Sequence, residues 1–273
     1  MKRKILEEVL SHRPDGLFYH YTNQKGLLGI IREKQIWATH TQYLNDAREF
    51  LHAVQMMRQL AGSRAGGETV RDLLDRVLPG LASINVCVAS FSEVPDSLSQ
   101  WRAYAPRGGF CIGIRGNRLA DLAAAHQFFF APCLYKRDQQ EKLVHALIEQ
   151  LEENIAGRTG QHAEQRSFPG GGLPAYAPIL KDPAFFEERE WRIISRPQKC
   201  TGSRFDFREG NSMLIPFYRF PLECGTGPMP IEEIIVGPTP DPERSAQSIR
   251  SFLASQGLAE VKVNPSVVPY RDW

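Results

Sequence analysis

The sequence predicts an α+β domain: a mainly antiparallel β-sheet core with helical insertions. Three observations carry this. Apolar, β-branched runs such as SINVCVASFSE (residues 83–93) and GFCIGIR (109–115) read as buried strands. They are not separated by helices at regular intervals, as a doubly wound parallel sheet requires. Long amphipathic stretches, YLNDAREFLHAVQMMRQLA (43–61) and DQQEKLVHALIEQLEENIAG (138–157), interrupt the strands. No linker, internal repeat or low-complexity tract divides the chain. One domain over residues 17–273 is expected after an N-terminal helix at 1–16, with helical insertions near 46–82 and 138–157.

The elements follow in order. MKRKILEEVLSHRPDG is a short amphipathic helix whose charges interrupt any signal-peptide pattern. LFYHYT (17–22) is a strand, and NQKGLLGIIREK (23–34) a helix with its start marked by Thr22 and Asn23. IWATH (36–40) is a short strand. The helix from Tyr43 takes Asn45 or Asp46 as its cap, with Glu49 reaching back in a capping box. GSRAGGE breaks the chain before a further helix, TVRDLLDRVLPGL (69–81). After the 83–93 strand, DSLSQWRAYA (96–105) is a helix capped by Asp96 or Ser97. NRLADLAAA is a helix and QFFFAPCLY strand-like. GRTGQHAEQRSFPGGGLPAYAP (157–178) reads as a flexible loop. EWRIISR, MLIPFYRF and IEEIIVG are strands, PERSAQSIRSFLASQG a helix and EVKVNP a last strand.

Composition narrows the function classes. The 273 residues are 42% hydrophobic and 10% aromatic, enough for a substantial core. A net charge of +2, from 33 basic and 31 acidic residues, lacks the basic excess of most nucleic-acid-binding proteins. Cys87, Cys111, Cys133, Cys200 and Cys224 have no zinc or redox spacing, so reduced thiols are expected. No apolar run reaches the roughly 20 residues of a membrane span. A cytoplasmic protein without membrane partners is the expectation. No phosphate loop, dinucleotide fingerprint, HExxH, GxSxG or EF-hand pattern is present.

Four stretches hold residues a core does not need. His20 lies between Tyr19 and Tyr21 on the first strand and is followed by Thr22; it is either a satisfied core histidine or a partner for a ligand hydroxyl. FSEVPDSLSQWRAYA (91–105) gathers Ser92, Glu93, Asp96, Gln100, Trp101, Arg102 and Tyr104, and an Arg there suits a carboxylate or phosphate. FFEEREWRIIS (185–195) carries Glu188, Glu190 and Arg192 on one face by strand alternation, as an ion pair or as a reaction centre. YLNDARE (43–49) adds Asp46 and Glu49.

These words, FYHYT, IWAT with YLND, FSE with SQWRAYA, KDP with EREWR and a terminal SVVPYRDW, resemble a bacterial family known only as a domain of unknown function, number twenty-nine seventy-one. The likeness runs from about residue 17 to the C-terminus. A second resemblance is to His-type ADP-ribosyltransferases, whose split β-sheet binds NAD. It implies that His20 holds a ribose with Tyr21 and Thr22 beside it, that Ser92 lines the nicotinamide pocket, and that Glu190, with Glu188, acts at the scissile bond. Gln100, Trp101, Arg102, Tyr104 and Arg192 would complete the NAD site, without a metal. The acceptor of ADP-ribose, protein, nucleic acid or water, is not specified, and a toxin or phage-defence role would follow. Two alternatives stand beside it: a nucleotide-binding sensor without catalysis, and a metal-dependent nuclease using Asp46, Glu49, Glu93, Asp96 and Glu190.

Overall fold

The computed structural model describes residues 2–44, 48–62, 72, 75, 84–156, 172–223 and 228–270. Helices are α1 (Lys2–Leu10), α2 (Gln24–Glu33), α3 (Arg48–Gly62), α4 (Leu98–Tyr104), α5 (Gly116–Ala125), α6 (Arg137–Ala156), α7 (Gly172–Tyr176) and α8 (Pro242–Ser255). Strands are β1 (Leu17–Thr22), β2 (Gln35–His40), β3 (Cys87–Ser92), β4 (Phe110–Arg115), β5 (Phe128–Pro132), β6 (Glu190–Ser195), β7 (Phe205–Glu209), β8 (Leu214–Pro221), β9 (Ile231–Val236) and β10 (Lys262–Pro265). They form one ten-stranded mixed sheet. Its pairings are antiparallel except for β9 with β10, which α8 joins as a crossover. The fold is α+β, as the sequence predicts.

β3 is where the sheet forks. It pairs β6 along Val88–Ser92, β1 at Ser92, and β2 at Cys87 and Val88. A strand has two edges, so β1 and β2 must share one of them, and Ala89 to Phe91 on that edge meet neither. Strand alternation then assigns the faces. One face carries Phe18, Phe91, Trp191 and Ile193, covered by Leu27 and Ile31 of α2, Leu119 and Leu122 of α5, and Ile249 and Leu253 of α8. The opposite face is covered in two separate pieces. Val88, Ala131 and Ile194 meet α1, α3, α6 and α7 through residues such as Leu6, Met57, Leu147 and Leu173. Tyr19, Tyr21, Cys111 and Ile235 meet Trp101 and Ala105 on and beside α4. Ser90, Ser92, Glu190 and Arg192 lie on this second face and belong to neither apolar piece.

Several local expectations are corrected. Asn23, rather than Thr22, caps α2: its side chain accepts from the Gly26 amide at 2.9 Å. Thr22 packs on Gly26, where a Cβ would collide with the threonine hydroxyl. Ser97 is the residue before α4, and its side chain makes no capping bond. Within the segment read as a flexible loop, residues 172–178 are helical, and Leu173, Tyr176 and Ala177 are buried. Apolar LPAYAP packs into the core there, a tertiary choice that Gly and Pro content conceals. β7 (FDFRE) and the 3-10 helix Pro183–Glu188 were not anticipated. Asn45, Asp46, the Glu49 side chain, the 69–81 helix apart from Asp72 and Asp75, residues 157–171 and Cys224 lie outside the described residues.

Candidate functional site

Glu190 opens β6 in register with Ser92 of β3, which is itself opposite Tyr19 of β1. These three share the face whose apolar cover is interrupted. Glu190 is 6% exposed and ionic on every side. Arg192, two residues on and therefore on the same face, donates to it twice, from Nε at 2.7 Å and Nη2 at 3.0 Å. Lys181 Nζ bridges Glu190 and Glu188. Arg192 Nη1 also donates to the Pro178 carbonyl at 2.5 Å. Burial alone would raise the Glu190 pKa, but the two cations and their hydrogen bonds overcome it and hold the carboxyl at about 2. Lys181 is raised despite its own desolvation, chiefly by Glu190. Glu190 and Lys181 are therefore both charged at neutral pH.

The chain around them is built to keep that arrangement. The Glu190 amide donates to the Tyr135 hydroxyl at 2.9 Å, and its carbonyl accepts from the Cys133 amide at 2.8 Å. The backbone carrying Lys181 is tied to Leu134 by an isolated bridge. Gln140, a 1% exposed residue of α6, donates to the carbonyls of Leu134 and Lys181 at 2.6 and 2.7 Å. Phe185 of the 3-10 helix lies 5.1 Å from the Lys181 ammonium, with its ring facing the charge. Tyr104, 40% exposed at the end of α4, is an accessible polar group near this cluster. Desolvation, then the carboxylates of Glu188 and Glu190, push its phenol up to about 12.

The sequence-nominated residues therefore divide. Ser92, Tyr104, Glu188, Glu190 and Arg192 come together. Ser92 donates from Oγ to the Glu188 carbonyl at 2.7 Å and accepts from the Val94 amide at 3.0 Å, so it also locks the loop to β6. His20 does not join them. It is on the opposite face, with Phe18 and against the Phe91 ring at 5.6 Å. Its Nδ1 lies 2.9 Å from the Ser90 carbonyl, which fixes that nitrogen as the donor. Parity explains why: Val86 O accepts from Thr41 on the edge facing β2, so Ser90 O points to the same edge, inside the fork where no strand supplies an amide. His20 fills that place. Burial lowers its pKa, and it serves as a neutral pin.

Tyr21, on the Glu190 face, holds the loop after β3: its hydroxyl contacts the Val94 and Pro95 carbonyls at 2.8 and 3.0 Å and accepts from the Ser97 amide at 3.0 Å. Trp101 is fully buried, edge-on to Tyr21, with Nε1 donating to Asp96 at 2.6 Å. It cannot stack on a ligand. Arg102 is exposed and lies over the Tyr270 ring at 5.1 Å. Gln100 is buried on α4. Of the nuclease carboxylates, Glu93 and Asp96 are each held by partners of their own. Asp96 also accepts from Ser266 Oγ at 2.6 Å and the Val267 amide at 2.7 Å. Glu93 pairs with Arg189 at 2.9 Å and accepts from Trp191 at 2.8 Å. Among the described residues no group of three or more His, Cys, Asp or Glu is placed to hold a metal ion, and no helix is long and apolar enough to cross a membrane.

Lys181, Tyr135 and Gln140 are the residues sequence reasoning missed. Lys181 sits in the word KDP, without periodicity to mark it; only the fold brings it back over β6.

Residues 100–193 match the model of a family described as "Protein of unknown function (DUF2971)". That span is narrower than the likeness read from the sequence. It contains Tyr104, Tyr135, Lys181, Glu188, Glu190 and Arg192, and leaves out His20 and Ser92. No curated protein and no solved structure matches the chain.

Proposed function

We propose that the protein takes NAD or a related nucleotide beside the Ser92–Glu190 pair and cleaves the nicotinamide–ribose bond, passing ADP-ribose to an acceptor or to water. The observation that supports this reading is an ionised carboxylate at the start of a strand, between the two apolar pieces that cover its face, beside the fork at β3. Loss of nicotinamide develops positive charge on the ribose, as in glycoside hydrolysis, and a fixed carboxylate stabilises it. In this scheme His20, Trp101 and Arg102 take no part. Tyr104 meets the ligand, and ligand phosphates draw Lys181 from Glu190, uncovering its negative charge.

The test is nicotinamide release from NAD by purified protein, with candidate protein and nucleic-acid acceptors present and absent. Tyr104→Phe removes a hydroxyl at an exposed position and should slow release; Glu190→Gln should reduce it by roughly 100-fold or more. Absence of release under every condition would sink the reaction. A second reading, nucleotide binding without chemistry, has its own support. Arg192 and Lys181 already balance Glu190, and a neutralised carboxylate is a weak stabiliser of a cation. Under that reading ADP-ribose binds and NAD remains intact.

A further inference from the structure

A cavity of about 410 Å³ opens at the other end of β6 from Glu190. Its size falls in the range of small-ligand sites. His126 and Gln127 reach it from the turn between α5 and β5, Arg196 and Lys199 from the exit of β6, Phe205 from β7 and Tyr218 from β8. The lining holds three basic side chains and no carboxylate. Arg204, in the turn before β7, adds its charge to His126 and Tyr218.

Cations on a protein surface usually find acidic neighbours; here the neighbouring acids are committed elsewhere. Asp206 pairs with Arg219 and Glu223 with Lys34. Among the described residues none of Arg196, Lys199 and Arg204 forms an ion pair. Arg196 rests on the face of the Phe129 ring, 5.3 Å away, which fixes its stem and leaves its donors unmatched. His126 Nε2 is buried without any hydrogen-bond partner. A buried polar atom of this kind costs stability unless something satisfies it. Burial first, and Arg204 in addition, keep the imidazole short of protons, against the backbone of Glu223.

We propose that this cavity binds a small molecule carrying two or more linked phosphates. Converging guanidinium and ammonium groups without carboxylates select anions, and Arg with Lys suits phosphate oxygens. A concave volume of this size, in a chain whose net charge is only +2, favours a small polyphosphate over a nucleic-acid strand. This site is independent of the reading given for Glu190.

Calorimetric titration of the full chain with inorganic pyrophosphate, tripolyphosphate and sulfate tests it. Saturable pyrophosphate binding is expected, weakening as salt rises and stronger for tripolyphosphate. Arg196→Ala with Lys199→Ala should weaken it at least tenfold, and Arg204→Ala several-fold; these positions are exposed, and an unchanged melting temperature would confirm folding. Sulfate binding as tight as pyrophosphate, or no pyrophosphate binding, would overturn the proposal. So would binding that survives the double variant and falls in Lys181→Gln, since that places the anion at the Glu190 cluster instead.

Discussion

Replacing Glu190 by Gln should reveal the ion network as a pH-dependent stability difference. The folded carboxyl is held at about 2 against an ordinary 4.5. That gap corresponds to roughly 3 kcal/mol of stability from the ionised form. Removing one partner from a buried pair independently suggests about 3–5 kcal/mol, because the remaining charges stay buried and uncompensated. For 273 residues the unfolding entropy is about 0.6 kcal/mol per degree, so the melting temperature should fall by roughly 5–9 °C at pH 7. The sign in acid follows from the depressed pKa. The contribution is full above about 4.5 and disappears as pH falls through about 2, where wild-type Glu190 is protonated too. Scanning calorimetry on both proteins between pH 7 and the lowest pH at which they fold should show the curves converging. A difference below about 2 °C at pH 7, or one that stays constant through the acid range, would refute the assignment of Glu190 as a desolvated carboxylate held by two cations.

Other consequences can be checked with simple variants. His20→Ala should cost about 1–3 kcal/mol, since it leaves the Ser90 carbonyl unpaired in the fork; a loss of nicotinamide release with stability intact would restore His20 to the ligand site. The lowered His20 pKa also means that wild-type stability should decline as pH falls below about 6.5, with a smaller decline in the variant. Trp101→Ala should destabilise by about 3–5 kcal/mol, measured by urea unfolding, because it empties a fully buried site and strips Asp96 of a donor. Cys200 is exposed, whereas Cys87, Cys111 and Cys133 are buried and the Cys87 thiol is pushed up to about 12. A thiol reagent should therefore modify Cys200 quickly and the other three only on unfolding; rapid labelling of Cys111 would contradict the packing of β4 against α4.

Most of the strands and the longer helices were legible in the sequence because local signals suffice for them. FCIGIR is apolar on both faces, CVASFS is apolar on one, and the 3.6-residue period of LVHALIEQL needs no tertiary knowledge. The juxtaposition of Glu188, Glu190 and Arg192 was also available, since alternation along one strand puts i and i+2 together. What local pattern cannot give is which face of one strand meets which face of another. His20 and Glu190 were grouped by order along the chain, and a one-residue difference in pairing parity separates them across the sheet. Trp101 and Arg102, adjacent in sequence, went to the core and to the surface for the equivalent reason on a helix. Lys181 and Gln140 became parts of the site only through long-range backbone contacts that bring the KDP turn beside β6. The basic cavity likewise draws residues from four separate elements. The sequence by itself determined an α+β chain with buried strands and the ionic residues of β6. The tertiary structure alone decided which charges meet, because pairing register and the fork at β3 are properties of several strands at once.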